Sequence, residues 1–196
     1  MPPRLEIDPG KIAYYEKAGW EAYYDRNWPR AFGLLVQLNR VEFRMSWPQA
    51  LAAALDTVRA TIAFAPLERS DVPKATAYIE KFYAKAGRSL GQKADAATLA
   101  KLEMNYWVVH RRLAIARKQN PNDGDLEPMI VSLANLHAAL FSSTPERMRA
   151  SAELRAKAAE AVDLITSKRS IDVAGDWRRV ETYLKQAYDA VQRDAA

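Results

Sequence analysis

The stretch WEAYYDRNWPRAFGLLVQLNRVEF, residues 20–43, decides the fold class of this chain. Its large apolar side chains recur every three or four residues on both sides of Asn27, which gives each of two short helices an apolar stripe. Asn27 is suited to cap the second helix, and Pro29 is tolerated in its first turn, where no N–H is needed. Each stripe must be buried against a neighbour. The stretch therefore predicts a helical hairpin, with Trp20 and Phe32 buried between the first two helices.

The same periodicity continues along the chain and predicts an all-α protein of about eight helices arranged as four hairpins. No segment alternates apolar and polar residues over a useful length, so we expect almost no strand. The predicted helices span about 11–26, 29–45, 47–65, 71–87, 95–119, 126–141, 145–166 and 177–193. An extended lead-in (1–10) precedes a first four-helix half (11–88). The predicted linker Arg88–Asp95 joins it to a second half (95–194), packed on the first as one globular unit. The sequence NPNDG at 120–124 is predicted to end the fifth helix.

The composition is that of a globular protein of 196 residues, with 49% hydrophobic and 27% charged residues. The absence of cysteine excludes disulfides, thiolate metal sites and a cysteine nucleophile. The longest apolar run, near Ala50–Leu55, is far too short to span a bilayer, and the N-terminus lacks the apolar core of a signal peptide. These features predict a cytoplasmic protein outside the membrane.

The net charge of +5 is spread over both halves and does not favour nucleic-acid binding. In the seventh helix, basic and acidic side chains interleave at helical spacing, which predicts ion pairs within the helix and a surface of mixed charge. The basic members of this set are Arg147, Arg149, Arg155 and Lys157, and the acidic members are Glu146, Glu153 and Glu160.

Two pairs of segments suggest an internal repeat. Asp71–Ala86 aligns with Asp176–Val191, and Leu35–Pro48 aligns with Leu133–Pro145 if one deletion is allowed. The matched pairs are Asp71 with Asp176, Tyr78 with Tyr183, Ile79 with Leu184, Tyr83 with Tyr188, Leu38 with Leu136, Val41 with Ala139 and Phe43 with Phe141. A duplicated four-helix unit explains these matches; chance similarity between amphipathic helices is the alternative.

Two stretches resemble tetratricopeptide repeats. AYYDRNWPRAF is similar to the end of the first repeat helix and the start of the second, and GDWRRVETYLKQAY is similar to the second helix. The predicted second helices are spaced by about 43 to 55 residues, however, whereas that family has a regular 34. Over a longer span, YYEKAGWEAYYDRNWPRAF, SWPQALAA and YWVVHRR resemble an uncharacterised family of bacterial all-helical proteins. That resemblance implies a helical fold and does not indicate a function.

Trp107, His110 and Arg111 lie within about one turn of the fifth helix and suggest an anion pocket, with an indole wall and a guanidinium for carboxylate or phosphate. The alternative is a buried tryptophan with basic residues in solvent. Stacked hairpins commonly bind a peptide or a small ligand in a groove. The candidate groove residues are Tyr14, Tyr15, Trp20, Tyr24, Trp107, His110 and Arg111.

No nucleophile motif, phosphate loop or calcium loop is present, and no catalytic residue or cofactor is indicated. Neither His110 nor His137 has a carboxylate three residues before it, as di-iron carboxylate bundles require. A weaker metal hypothesis combines Glu16, Glu21, Glu42, Glu103 and His110. The sequence thus favours a binding protein with a groove for a peptide or a small anionic or aromatic ligand. The alternative is a helical-bundle enzyme with a metal or organic cofactor between its halves; partner identity and oligomeric state are not encoded in any recognisable motif.

Overall fold

The computed structural model describes residues 7–91, 95–120 and 124–194. Residues 1–6 of the predicted lead-in, 92–94 of the predicted linker and 121–123 of the predicted break lie outside the described residues. The described ranges form helices without any strand, as the periodicity predicts. The helices are α1 Pro9–Tyr24, α2 Trp28–Glu42, α3 Trp47–Phe64, α4 Val72–Leu90, α5 Ala96–Gln119, α6 Glu127–Leu140, α7 Pro145–Thr166 and α8 Val173–Asp194. None of these eight is long and apolar enough to cross a bilayer.

Most helices begin where a polar side chain accepts a backbone N–H of the first turn. Asp8, Asn27, Asp71, Asp95 and Thr144 act in this way. The first turns of α1, α2, α3, α4, α6 and α7 also hold a proline. These local signals are readable in the sequence, which is why the predicted helix starts are close to the observed ones.

Three predicted boundaries differ from the structure by three residues or more. Helix α2 ends at Glu42 and not at residue 45. Helix α8 begins at Val173, before the predicted Trp177, because the Asp172 carboxylate accepts the Gly175 N–H at 2.8 Å and starts the first turn there. Helix α4 continues past Gly87 to Leu90, and Gly91 ends it in the left-handed conformation, with φ of 63°. Part of the predicted linker is therefore helical.

Each helix packs against the next one along the chain, and α8 packs back against α1. The eight helices consequently form a closed ring, which includes the predicted hairpins. One apolar cluster joins α2 to α6, a second joins α5, α6 and α7, and a third joins α1, α7 and α8. The first of these clusters combines residues of both predicted halves, so the halves share a core.

Trp20 and Phe32 pack against different apolar clusters, whereas the sequence predicts that both are buried between α1 and α2. Trp20 packs against the cluster of α1, α7 and α8, and Phe32 packs against the cluster of α2 to α6. Both side chains are half-buried. The reason is the closure of the ring, because α1 has a second neighbour, α8, that receives the face bearing Trp20.

The aligned segments have matching structures. Helices α4 and α8 bury residues at the same internal spacing: Ala75, Ile79, Tyr83 and Ala86 in one, Val180, Leu184, Tyr188 and Val191 in the other. Helices α2 and α6 end alike. Phe43 and Phe141 are their C-caps, with φ of −106° and −105°. The residues that follow, Arg44 and Ser142, take φ of 52° and 53°.

Candidate functional site

Polar side chains from α1, α2, α4, α5, α7 and α8 meet inside the ring. Helices α1 and α7 are not neighbours in the ring, so a bond between Glu16 and Arg155 crosses its interior. The same holds for the bond between Glu42 of α2 and Tyr188 of α8. We call the whole group the central cluster: Glu16, Glu42, Tyr83, Glu103, Trp107, Arg155 and Tyr188.

Glu16 is the most completely neutralised carboxylate of the central cluster. Both terminal guanidinium nitrogens of Arg155 donate to it, with Nη1 at 3.0 Å from Oε2 and Nη2 on Oε1. The Tyr188 hydroxyl also donates to Glu16 Oε2, at 3.1 Å. Glu16 is 5% exposed, so this two-bond pairing supplies the counter-charge that a buried carboxylate needs.

Glu103 has a similar tyrosine partner but no cation. The Tyr83 hydroxyl donates to Oε2 at 3.0 Å, and the Trp107 indole N–H donates to Oε1 at 2.7 Å. Among the described residues, no Lys or Arg nitrogen lies within 4.0 Å of the Glu103 carboxylate. Two neutral donors hold the carboxylate in place, and its charge is left without a direct counter-ion.

Glu42 has the weakest set of partners. Its Oε1 lies 3.2 Å from the Tyr188 hydroxyl, which is also 3.1 Å from Glu16 Oε2. A phenol has one proton and can donate to one carboxylate at a time. Both contacts are satisfied together when Tyr188 donates to Glu16 and a protonated Glu42 donates to the Tyr188 oxygen. The geometry therefore favours a proton on Glu42.

The electrostatics of the cluster agree with this assignment. Burial, followed by the charge of Glu16, raises the pKa of Glu42 to about 8, against the opposing effects of Arg155 and Tyr188. Burial also raises the pKa of Glu103, although Arg155 and the Trp107 bond oppose it. Three carboxyl groups thus share one guanidinium, and the raised pKa of Glu42 reduces the excess negative charge.

Solvent reaches part of the central cluster. The Arg155 side chain is 19% exposed, and Glu42, Glu103 and Trp107 are half-buried. Tyr83 and Tyr188 are buried, at 5% and 6%. The polar groups of Arg155, Glu42 and Glu103 are therefore partly accessible to solvent, next to the buried rings of Tyr83 and Tyr188.

A second polar group lies beside the cluster along α5. His110 Nε2 contacts both carboxylate oxygens of Asp163 at 3.2 and 3.3 Å, and Tyr106 stacks parallel to the His110 ring with 5.8 Å between centroids. Burial raises the pKa of Tyr106, so its phenol keeps its proton. Burial, with a smaller contribution from Asp163, raises the pKa of Tyr24 to about 12. Tyr106 and His110 thus continue the series of polar side chains from Glu103 along α5.

The seven residues predicted from the sequence have different surroundings in the structure. Trp107 belongs to the central cluster and His110 lies next to it, but Arg111 turns to Phe64, where it donates to the carbonyl at 2.7 Å and covers the ring at 3.4 Å. Trp20 packs against α7 and α8. The remaining three are Tyr14, 48% exposed, Tyr24, 45% exposed, and Tyr15, whose ring contacts Tyr14.

The carboxylates of the metal hypothesis are only partly gathered. Glu16, Glu42 and Glu103 meet, but around Arg155, while Glu21 pairs with Lys17 at 3.5 Å. His110 is engaged by Asp163. Across residues 7–91, 95–120 and 124–194, no three His, Cys, Asp or Glu side chains are placed to hold a metal ion.

Arg155, Tyr83 and Tyr188 were not predicted as site residues. The prediction of ion pairs within the seventh helix is wrong for Arg155, which pairs with Glu16 of α1. It is confirmed for Arg149, which pairs with Glu153 at 3.0 Å. For the glutamates that these residues contact, a sequence signal does exist on α1 and α5. IAYYEKAGW at 12–20 and LAKLEMNYW at 99–107 share an aliphatic residue, an alanine, a glutamate and a tryptophan at equal spacing.

Comparison with known proteins gives no relative from which a role could be transferred. The chain matches no protein-family model, no curated protein and no solved structure. The function of the central cluster therefore has to be inferred from its own geometry and charge.

Proposed function

We propose that the protein binds a small organic cation with a guanidinium or amidinium group at Glu103, inside the ring. The observation that carries this proposal is the difference between two glutamate–tyrosine pairs, one with a guanidinium on its carboxylate and the other with the neutral indole N–H of Trp107. Tyr188 donates to Glu16 at 3.1 Å and Tyr83 donates to Glu103 at 3.0 Å. Only Glu16 has a guanidinium, from Arg155, on its carboxylate. The ligand would do for Glu103 what Arg155 does for Glu16.

The two pairs are proposed to be copies within a duplicated four-helix unit. The motifs at 12–20 and 99–107 place Glu16 and Glu103 at the same point of α1 and α5. Tyr188 and Tyr83 occupy matched positions of α8 and α4, the helices that pack against α1 and α5. The matching ends of α2 and α6 support the same relation. In this arrangement each glutamate receives its hydroxyl from an equivalent helix.

The position equivalent to Arg155 lacks a charged side chain. Helices α3 and α7 bury small and apolar residues in one register: Ala50, Ala53, Ala54 and Ala60 correspond to Met148, Ser151, Ala152 and Ala158. In this register, Thr57 of α3 is the position equivalent to Arg155 of α7. Thr57 donates to the Ala53 carbonyl at 3.3 Å within its own helix. The chain therefore supplies a guanidinium to one glutamate and leaves the other to an external cation.

The surroundings of Glu103 suit a planar cation. A carboxylate can accept two parallel bonds from a guanidinium, and aromatic faces attract the same group. Tyr83 and Trp107 border the carboxylate directly, and Tyr106 follows on the same helix. A bound cation would also replace the neutralising role of the proton on Glu42, so binding is expected to favour ionised carboxyls.

This proposal keeps the expectation of a binding protein and changes the class of ligand. An anion at Trp107, His110 and Arg111 is less favoured, because the Arg111 guanidinium already donates to the Phe64 carbonyl and the Asp163 carboxylate contacts His110. A cytoplasmic location and the tetratricopeptide likeness stay as predictions. The enzyme alternative is supported by one feature, the Glu42 carboxyl that titrates near neutrality and suits a general acid.

Calorimetric titration with n-propylguanidinium, n-butylammonium and butyrate tests the proposal. We expect saturable binding of the guanidinium, weakened at least about tenfold by Glu103→Gln, the equivalent of about 1.4 kcal/mol. Glu80→Gln, on the exposed face of α4, is the matched control and should bind as the wild type does. Butyrate binding that Arg111→Ala abolishes would contradict the proposal. So would guanidinium binding that ignores Glu103. Mass spectrometry of the recovered ligand distinguishes binding from turnover.

A further inference from the structure

The outer surface of α2 and α3, remote from the contacts of the central cluster, carries an apolar groove. Its volume is about 620 Å³, and it lies between the two helices near the start of α3. The lining residues are Phe32, Gly33, Val36, Gln37, Trp47, Pro48 and Leu51. A Cβ at Gly33 would meet nothing within 4 Å, so the glycine leaves the groove open. The groove is open to solvent, and its volume exceeds that of a large apolar side chain.

The groove continues into an exposed apolar stripe along α3. Trp47, Leu51, Leu55 and Ile62 are 55%, 48%, 42% and 67% exposed. They recur at helical spacing, so they follow one line along the helix for about 22 Å. Exposed apolar stripes of this length are characteristic of surfaces that bind another helix. An unpartnered face of about four turns matches a partner helix of about the same length.

The segment that forms this face is rich in arginine. From Arg26 to Phe64 the sequence has five arginines and two acidic residues, Glu42 and Asp56. Both acids point away from the face: Glu42 contacts Tyr188 in the central cluster, and Asp56 is 4% exposed and paired with Lys85. Arg30 and Arg59 are exposed, and the Arg40 guanidinium lies over the Trp47 ring at 4.1 Å. Arg30, Arg40 and Arg59 thus place positive charge on the two helices that form the apolar face.

We propose that this face, the α2–α3 groove with the α3 stripe, binds an acidic amphipathic helix of a partner protein. Apolar side chains of that helix would enter the groove and lie along Leu51, Leu55 and Ile62, while its acidic flanks pair with Arg30 and Arg59. A second copy of this chain is disfavoured, because two-fold pairing of the face would bring its arginines together. A flat lipid surface would leave the groove unfilled. The concave shape therefore favours a helix over a membrane.

Fluorescence anisotropy with a defined peptide tests this inference. The probe is a labelled 16-residue peptide with leucines at positions i, i+4, i+7 and i+11 and glutamates on its polar face. The comparison peptide replaces every glutamate by lysine. We expect saturable binding of the acidic peptide, at least tenfold weaker with Leu51→Glu and weakened by salt. Leu67→Glu, at an apolar residue that is 68% exposed elsewhere, is the matched control and should leave binding intact.

Three results would overturn the inference. One is absence of acidic-peptide binding, or equal binding of the lysine peptide. Another is phosphatidylglycerol vesicles that bind through Leu51 while the peptide does not, which would assign the face to a membrane. The last is a concentration-dependent dimer in sedimentation that Leu51→Glu dissociates, which would assign it to a second copy. Because Glu103→Gln leaves this surface unchanged, failure here is distinguishable from failure of the cation proposal.

Discussion

At the scale of single residues, the raised pKa of Glu42 makes the folding stability depend on pH. Its folded pKa of about 8 lies above its ordinary 4.5, with burial as the main cause. Between those pH values the unfolded chain has released the proton and the folded chain has kept it. Protons bound to the folded state exceed those bound to the unfolded state, so stability decreases as pH rises through this window. A destabilising carboxyl in a partly open cluster is typical of a functional site.

Glu42→Gln should therefore stabilise the protein at alkaline pH. The amide keeps the shape of the protonated carboxyl and cannot ionise, so we expect the free energy of unfolding at pH 8 to rise on the order of 2–4 kcal/mol relative to the wild type. At pH 4 the two should agree closely. Urea denaturation at both pH values checks this, with exposed Glu80→Gln as control. A variant no more stable than the wild type at pH 8 would contradict the protonated assignment.

His137 should produce the opposite dependence on the acid side. Burial, with a smaller effect from Arg155, lowers its pKa from 6.5 to about 3, and its Nδ1 lies 3.0 Å from Ser151 Oγ. The unfolded chain takes up a proton below about 6.5 and the folded chain does not, so stability falls as pH decreases from there towards 3. At the corresponding point of α2, the buried Asn39 donates to the Ala50 carbonyl without ionising.

His137→Asn should reduce this loss on acidification. Between pH 7 and pH 4, we expect the unfolding free energy of the variant to fall by about 2–3 kcal/mol less than that of the wild type. Any loss of stability already present at pH 7 does not enter this comparison. Urea denaturation of both proteins across that interval measures the difference. Parallel curves would show that His137 is not the group that titrates.

At the scale of the helices, the contact that closes the ring is the one between α1 and α8. Trp20 packs there with Ala13, Val162 and Trp177. Trp20→Ala should lower the free energy of unfolding by about 2–4 kcal/mol, less than for a fully buried tryptophan because Trp20 is half-buried. Trp28→Ala is the control, since Trp28 is 55% exposed and contacts the Tyr23 ring at 5.3 Å; we expect less than about 1 kcal/mol. Equal losses in chemical denaturation would mean that Trp20 does not join the two ends of the ring.

The helices were predictable because their signals are local. Apolar spacing, Asn27 and the prolines of the first turns depend on neighbours within one turn. The partner of Arg155 was not predictable in this way. Helix α7 also bears Arg149 and Glu153, and charges interleaved at this spacing are compatible with either a surface pair or a buried bond. Only the closure of α8 onto α1 brings Glu16 within reach of Arg155. Contacts between residues so far apart in the chain leave no periodic trace.

At the scale of the whole molecule, the proposed duplication pairs similar helices that carry different charges. The glutamate–tyrosine pairs and the helix ends match across the two halves. The guanidinium of Arg155 and the protonated carboxyl of Glu42 have no counterpart in the matched helices, where Thr57 and Leu140 lie. The symmetric part fits a structural role, and the asymmetric part defines the proposed ligand site.

Calorimetric titration of a Thr57→Arg variant with n-propylguanidinium tests the central claim most directly. The matched register of α3 and α7 predicts that this arginine delivers its guanidinium to Glu103, as Arg155 does to Glu16. The variant, shown by circular dichroism to be folded, should lose ligand binding although Glu103 is intact. An arginine at exposed Leu55 controls for added charge and should leave binding unchanged. If folded Thr57→Arg binds n-propylguanidinium as tightly as the wild type, Glu103 is not the vacant partner of a guanidinium and the account is contradicted.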